Sequence, residues 1–441
     1  MRTASLLAAG LIVSAFLSAG CKPKEGPYVE GIPGLKNYDK PVEGYALRKL
    51  RLEEYPDFTA AFGNTTGLRE AILRSLDYFG KPSSKQFYPF SASDADKITH
   101  EQEVATLTTM LKMLDGGLTS AQGNAAIREK FDVYVSVGCD DQGTVLFTGY
   151  YTPIFDASPV RTEKFRYPLY KQPADLEKGF DGKILGRKTA GGVVPYPARQ
   201  QIEQSNMLAG TELYWLGDAF EAYIVHVQGS ARLRMPDGKL ITIGYAANNG
   251  HEYNSVGKIL VREGKLDKSQ LSLKGMIDYF KAHPQDVQTY TWQNPRYVFF
   301  QPSTDDSPRG SLNEPVTRLR SMATDKSIFP RASLTFLATK LPVRSGGGIE
   351  AQTYTGFALD QDTGGAIRAA GRCDVYMGVG DESGELAGRT YEEGRLYYLF
   401  LKPQFVSGAP PAPARAPASP APANPSAPPA TPLPPVTPPT R

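Results

Sequence analysis

Residues Asp360–Gly380 read DQDTGGAIRAAGRCDVYMGVG. The stretch holds three carboxylates, Asp360, Asp362 and Asp374, with five glycines and little that could build a helix. Short apolar runs punctuated by glycine are strand-and-turn material. Asp362 precedes TGGAI, a strand ending in a glycine pair, and Asp374 sits between Cys373 and VYM, among apolar neighbours. If the intervening loop folds back, the two aspartates face each other across paired strands. An acid that works at neutral pH needs a raised pKa, which burial or a second carboxylate supplies. On spacing alone, each aspartate also reads as a turn cap, the commonest use of Asp in such surroundings.

Working outward, the segments on either side are mostly strands. FDVYVSVG, GTVLFTGYY, EAYIVHVQGSARLRM, KLITIGYA, RYVFF and LYYLFLKP are short, β-branched or aromatic, and bounded by Gly, Asp or Pro. One helical stretch, SVGKILVREG followed by the amphipathic LSLKGMIDYFKAH, interrupts them. Between Leu47 and about Lys130 the period is helical. Leu68, Ile72, Leu76 and Phe79 fall on one face, and Val104, Leu107, Leu111 and Leu114 repeat the pattern. Past about Ser407 the chain is Ala and Pro almost throughout, a composition that cannot bury a core and reads as an extended, disordered tail.

The N-terminus reads as an export signal: Arg2, an apolar stretch from Leu6 to Gly20, then Cys21. LSAGC resembles a bacterial lipobox, whose cysteine is lipidated and becomes the first mature residue, although Ser18 stands where Leu is usual. The other reading is a plain secretory peptide and a soluble periplasmic protein. A lipid on Cys21 would anchor the protein to a membrane. Lys22, where Asp would signal inner-membrane retention, leans toward the periplasmic face of the outer membrane.

At 441 residues the chain is long enough for two domains and a tail, and a net charge of +3 argues against a nucleic-acid partner. Cys139 and Cys373 have no second cysteine or histidine at ligand spacing, so they read as buried small hydrophobes or as a bridging pair. The four histidines show no metal-ligand spacing, so no metal or cofactor is expected. His226 alternates in the apparent strand YIVHVQGS as a wall histidine, and His251 lies in a polar turn before a helix. There is no G-x-S-x-G elbow, P-loop or dinucleotide fingerprint, and GDESGELAG reads as a glycine-rich turn. Carboxylates remain as the candidate chemistry.

Several segments, in order, resemble the membrane-bound lytic transglycosylase A (MltA) family. They are FTGYYTP at Phe147–Pro153, VQGSARLRMPDG at Val227–Gly238, GYAANNGHEYNSVGKIL at Gly244–Leu260, QNPRYVFF at Gln293–Phe300 and MATDKSIFP at Met322–Pro330. LDQDTGGAIRAAGRCDVYMGVGDESGELAG closes the set. The resemblance covers roughly Phe131 to Pro403. Where the family often has KG after GGAI, this chain has Arg368 and Ala369, and Ala231 replaces the Gly after VQGS.

The resemblance implies a mainly β fold with N-terminal helices. A double-psi β-barrel, residues 46–153 and 296–405, would carry an inserted smaller β-rich domain, 154–295, with a groove between them. A signal peptide, 1–21, and spacer, 22–45, would precede it and the tail, 406–441, follow. The three aspartates that name the family's 3D domain fall on Asp325, Asp362 and Asp374, with Asp374 the catalytic acid. Asp362 would tune it or orient the sugar, and Asp325 would support the site. The implied activity is that of a peptidoglycan lytic exotransglycosylase: cleavage between N-acetylmuramic acid and N-acetylglucosamine, with a 1,6-anhydro end. The nucleophile, the muramic C6 hydroxyl, is tethered, so one acid that later acts as base suffices. Glycan strands would meet Thr148, Gly149, Tyr150 and Tyr151 at the domain crossing, and Gln228, Gly229 and Ser230 on the inserted wall. Tyr245, Asn249, Gly250, Gly364 and Gly365 complete the expected contacts. A cell-wall synthesis or hydrolysis complex is a possible partner. Two other readings stay open: a non-catalytic peptidoglycan-binding lipoprotein, and a hydrolytic β-barrel glycosidase with a second carboxylate.

Overall fold

The computed structural model describes residues 36–179, 183–267, 273–303 and 307–406. The signal peptide with Cys21, most of the spacer and the Ala/Pro tail lie outside the described residues. Among the described residues no helix is long and apolar enough to cross a membrane.

The N-terminal helices form where the apolar period and the caps place them. Helix Leu68–Phe79 buries Leu68, Ile72, Leu76 and Phe79, the face read from the spacing. Helix His100–Asp115 starts at Thr99, whose side chain accepts from the Gln102 amide. Helix Ser120–Lys130 starts with a Thr119/Gln122 capping box. The next residue, Phe131, opens a strand. These helices cover one side of a β-barrel, where Phe58, Leu68 and Ile72 pack with Phe336, Phe357 and Leu399.

The barrel is closed by six strands. Val145–Thr152 pairs parallel with Arg372–Val379, which pairs antiparallel with Ser321–Ala323. Ser321–Ala323 runs parallel to Gly348–Asp362, whose other neighbour is Leu334–Ser345. Tyr391–Leu401 pairs with Leu334–Ser345 and with Val145–Thr152, completing the ring. Closure removes the sheet edges within the ring. Alternation along the strands then assigns each side chain. Cys373, Val375 and Met377 point into the barrel core, so Asp374 and Tyr376 point to the opposite face. Phe147 and Tyr151 also point into the core, which leaves Tyr150 on the opposite face.

An insert leaves the barrel directly after Thr152. Its six-stranded sheet runs in the order Val298–Pro302, Leu240–Asn248, Ala231–Arg234, Ile154–Ser158, Glu212–Leu216, Tyr167–Tyr170. A Lys171–Phe300 bridge joins its two edges. The boundary expected at 295/296 is therefore corrected: Val298–Pro302 is an insert strand, and the chain re-enters the barrel after it.

Three further expectations are corrected. First, AFEAYIVHVQ is a helix, Ala219–Gln228, and not a strand. Asp218 caps it through the Phe220 and Glu221 amides, and Gly229 ends it at φ +75°. Its flanks pack into two different cores, Ala222 and Val225 in one and Phe220, Tyr223 and Ile224 in the other, so it shows no polar face. Second, DESGELAGR is a helix, Asp381–Arg389, with Asp381 and Glu382 in its first turn. Its glycines serve close packing: a Cβ on Gly384 would lie 2.7 Å from the Tyr151 ring. Third, Asp362 and Asp374 do not lie on paired strands, because Ser321–Ala323 runs between them.

Candidate active site

A groove separates the barrel from the insert, enclosing a cavity of about 270 Å³. Asp362, Asp374, Tyr150 and Tyr376 line it from the barrel, and Gln228, Ser230, Tyr245 and Arg296 from the insert. The two walls are bonded together. Gln228 Oε1 accepts from the Tyr151 amide at 3.2 Å. Thr152 Oγ1 lies 3.0 Å from the Tyr376 hydroxyl and 3.4 Å from Ser230 Oγ.

Asp374 is half-buried on the groove wall, in register with Thr148 and Ala323 on its two neighbouring strands. Protein surrounds the carboxyl on most sides while the groove leaves it a path to solvent. Burial pushes it up to about 7, the adjacent Arg372 charge and the Thr148 hydroxyl hold it back, and Asp362 adds to the rise. Thr148 thus acts on the acid, yet its Oγ1 completes no hydrogen bond among the described residues. Asp374 Oδ1, Thr148 Oγ1 and the Tyr150 hydroxyl are each buried with no hydrogen-bond partner among the described residues. Three such atoms together make a polar cluster whose bonding capacity the protein itself does not use.

Asp362 is held differently. Its Oδ1 accepts from the amides of Ser311 and Thr363, both at 2.8 Å. Burial raises its pKa, and those two amides, then Tyr150 and Lys326, oppose the rise. The Tyr150 hydroxyl is kept protonated by burial first and by Asp362 and Asp374 after it. Asp325 does not line the groove. It organises the next turn: Oδ1 accepts from the amide and hydroxyl of Ser327, and Oδ2 from the Ala369 amide at 3.0 Å.

The other expected contacts divide. Gly149, Tyr150, Gln228, Gly229, Ser230, Tyr245, Gly364 and Gly365 line the groove. Thr148, Tyr151, Asn249 and Gly250 do not. Tyr151 points into the barrel core by strand alternation. Asn249 is a buried clamp, donating to the Pro197 and Pro295 carbonyls and accepting from the Tyr297 amide. Gly250 sits at φ +81° against Ile184. His226 is buried and neutral, its Nδ1 accepting from the Val298 amide, but it stands on a helix. Cys139 and Cys373 are both free and buried. Arg296, Arg368, Tyr253 and the Arg309–Ser311 loop also line the groove and were missed. For Arg296 a signal existed, a lone charge before the apolar strand YVFF.

Comparison with known proteins follows the same division of the chain. Residues 146–301 match the MltA specific insert domain and residues 320–400 the 3D domain. A membrane-bound lytic murein transglycosylase A from Escherichia coli K12 is 30% identical over 274 residues, 62% of this chain and 70% of that protein. The Vibrio cholerae protein of the same name is 30% identical, over 60% of this chain and 68% of its own. A crystal structure of a membrane-bound lytic murein transglycosylase from Agrobacterium tumefaciens superposes with a TM-score of 0.67 at 25% identity, covering 81% of this chain and 98% of that one. E. coli MltA with bound chitohexaose shares the fold at a TM-score of 0.60 and 24% identity, covering 82% and 97%. With the barrel, the insert and both domain models in register, the chain belongs to the membrane-bound lytic murein transglycosylase A family.

Proposed function

We propose that the protein cleaves the β-1,4 bond between N-acetylmuramic acid and N-acetylglucosamine of peptidoglycan, with Asp374 as both acid and base. One observation carries the reading: Asp374 lies on the groove wall with its pKa raised to about 7. At neutral pH a substantial fraction of it holds a proton. The protonated carboxyl donates to the glycosidic oxygen as the C1–O bond breaks, and the N-acetylglucosamine leaves with a new hydroxyl. The muramic C6 oxygen bonds to C1 of its own ring, and its proton passes to the Asp374 carboxylate. The 1,6-anhydro end forms and the acid is restored without water as a reactant. Tethering supplies the effective concentration that an activated water would otherwise need. Asp362 is less suited to act as a second catalytic carboxylate, because two backbone amides already hold its Oδ1.

The Tyr150 hydroxyl, on the groove wall, is the polar group left to orient the sugar beside the acid. The exposed Tyr245 ring offers a sugar platform on the insert wall. Lipidation of Cys21 would hold the enzyme at the periplasmic face of the outer membrane. Loss of membrane fractionation in Cys21→Ala tests this.

The deciding experiment digests purified sacculi with wild type lacking residues 1–21 and with its Asp374→Asn variant, and reads products by mass spectrometry. Anhydro-muropeptides from the wild type alone support the proposal. Reducing-end products point to a hydrolase. Co-sedimentation with sacculi without any release points to a binding module.

A further inference from the structure

The groove holds cationic chemistry that acid–base cleavage of a glycosidic bond does not use. Arg296 projects from the insert and Arg368 from the barrel loop into the same cavity as Asp374. Arg296 is largely enclosed. Its Nη1 donates to the His251 carbonyl at 3.1 Å, and no carboxylate lies within ion-pair distance of it among the described residues. Burial foremost and the Arg368 charge after it weigh against the cation, with Tyr245 and Glu252 in its favour. Among the described residues the Arg368 guanidinium pairs with Glu252 alone, at 3.7 Å, a side chain that is 86% exposed. The glycine pair of the 3D segment clears space for this arrangement: a Cβ on Gly365 would come 3.0 Å from Arg296 Nε.

Two guanidiniums facing one cavity, one of them enclosed without a carboxylate, repel each other in the free protein. An anion between them removes that cost and gains charge-assisted hydrogen bonds. A planar carboxylate fits the guanidinium fork. A neutral glycan backbone offers none, whereas a muramyl residue carries a lactyl arm ending in a carboxyl, free in peptide-free glycan and extended by an acidic stem peptide in peptidoglycan. Resting on the peptidoglycan reading above, we infer that Arg296, assisted by Arg368, forms a carboxylate subsite that selects the muramyl lactyl arm or its stem peptide over neutral glycan.

The test is calorimetric binding to full-length protein in an Asp374→Asn background, so that no probe is cleaved. Four probes are used: a peptide-free muramyl tetrasaccharide, the same glycan with lactyl methylamides, a stem-peptide-bearing tetrasaccharide, and chitohexaose. Arg296→Gln should weaken a carboxylate-bearing probe about 10- to 100-fold, the range for hydrogen bonds to a charged group, and leave both neutral probes within about twofold. Loss on the peptide-free glycan identifies the lactyl carboxylate; loss on the peptide-bearing glycan alone identifies the stem peptide. Arg368→Gln, a change at a half-exposed side chain, should show the same selectivity at smaller size even if Arg296→Gln folds poorly. Equal weakening of all four probes, no selective weakening, or no binding of the carboxylated glycans overturns the inference. Failure of the peptidoglycan reading is read separately, as no anhydro product from the same glycans with the Asp374 enzyme.

Discussion

Asp362 and Asp374 stand on strands that do not pair with each other, yet both register opposite Ala323, one through a parallel ladder and one through an antiparallel ladder. Their backbones are therefore roughly 9–10 Å apart, two inter-strand spacings. At that range Asp362 acts on Asp374 through charge, and its carboxylate is among the groups that raise the Asp374 pKa. Asp362→Asn removes that repulsion and lowers the pKa. With Asp374 as the proposed acid, activity should fall as pH rises through about 7 and Asp374 loses its proton, so this limb should move to lower pH, by up to about one unit. A pH profile of kcat/KM on soluble glycan strands checks it. An unmoved limb would mean that the two acids are uncoupled.

Arg372 should give the opposite shift. Its charge is the largest opponent of the raised Asp374 pKa, and its Nη1 is held by Asp39 at 3.3 Å. Arg372→Gln should raise the Asp374 pKa and carry the alkaline limb upward, again by up to about one unit. Profiles of the two variants moving in the same direction would refute the assignment of that limb to Asp374.

The parts of this site that local sequence could reveal are those fixed by local chemistry. Leu68, Ile72, Leu76 and Phe79 announced their helix by period, and Asp374 stood out as an acid among apolar strand neighbours. Ser321–Ala323 was not legible as a barrel strand, because three residues carry no period and only its partners make it one. Helix Ala219–Gln228 was misread for a related reason: buried on two sides, it has no polar face. Tyr150 and Tyr151 looked equivalent as sugar platforms, and strand parity separates them. Arg296 reaches the groove from the insert, about 80 positions along the chain from Asp374. Such a nonlocal meeting leaves almost no local trace.

Asp374 should also cost stability at neutral pH. Its folded pKa is raised from 3.8 to about 7, so its contribution is full below pH 3.8 and is lost as pH rises through about 7. Asp374→Asn removes the titration. Relative to wild type, the variant should gain on the order of 1–2 kcal/mol between pH 4 and pH 8, a figure discounted for the solvent path along the groove. Denaturant melts at the two pH values measure it. An inactive variant with no relative gain at pH 8 would contradict the raised pKa.

A second buried acid gives an independent pH signature away from the groove. Glu103, on helix His100–Asp115, is fully buried; its Oε1 accepts from the Ser333 hydroxyl and its Oε2 has no partner among the described residues. Burial raises its pKa from 4.5 to about 8, with hydrogen bonds from Ser333 and Tyr88 opposing the rise. Its stabilising contribution is complete below pH 4.5 and drains away as pH rises to about 8. Glu103→Gln keeps the acceptor for Ser333 and cannot ionise. Its stability relative to wild type should rise by a few kcal/mol between pH 5 and pH 9. Parallel stability–pH curves for the two proteins would show that Glu103 titrates normally.

The last prediction concerns the turn that follows the glycine pair. Ala369 holds a left-handed backbone conformation at φ +62°, where a Cβ is disfavoured by about 1 kcal/mol, and its amide donates to Asp325 Oδ2 at 3.0 Å. Asp325 thus restrains a strained turn within the loop that joins the Asp362 and Asp374 strands. Asp325→Ala should lower both the melting temperature and kcat, because the released loop supplies Gly364, Gly365 and Arg368 to the groove wall. Ala369→Gly alone should stabilise by about 0.5–1 kcal/mol. Combined with Asp325→Ala, it should recover part of the lost activity, since glycine adopts the same conformation without the restraint. A double-mutant cycle in melting temperature and kcat measures this coupling. Strictly additive effects would show that Asp325 acts on the site by some route other than the Ala369 turn.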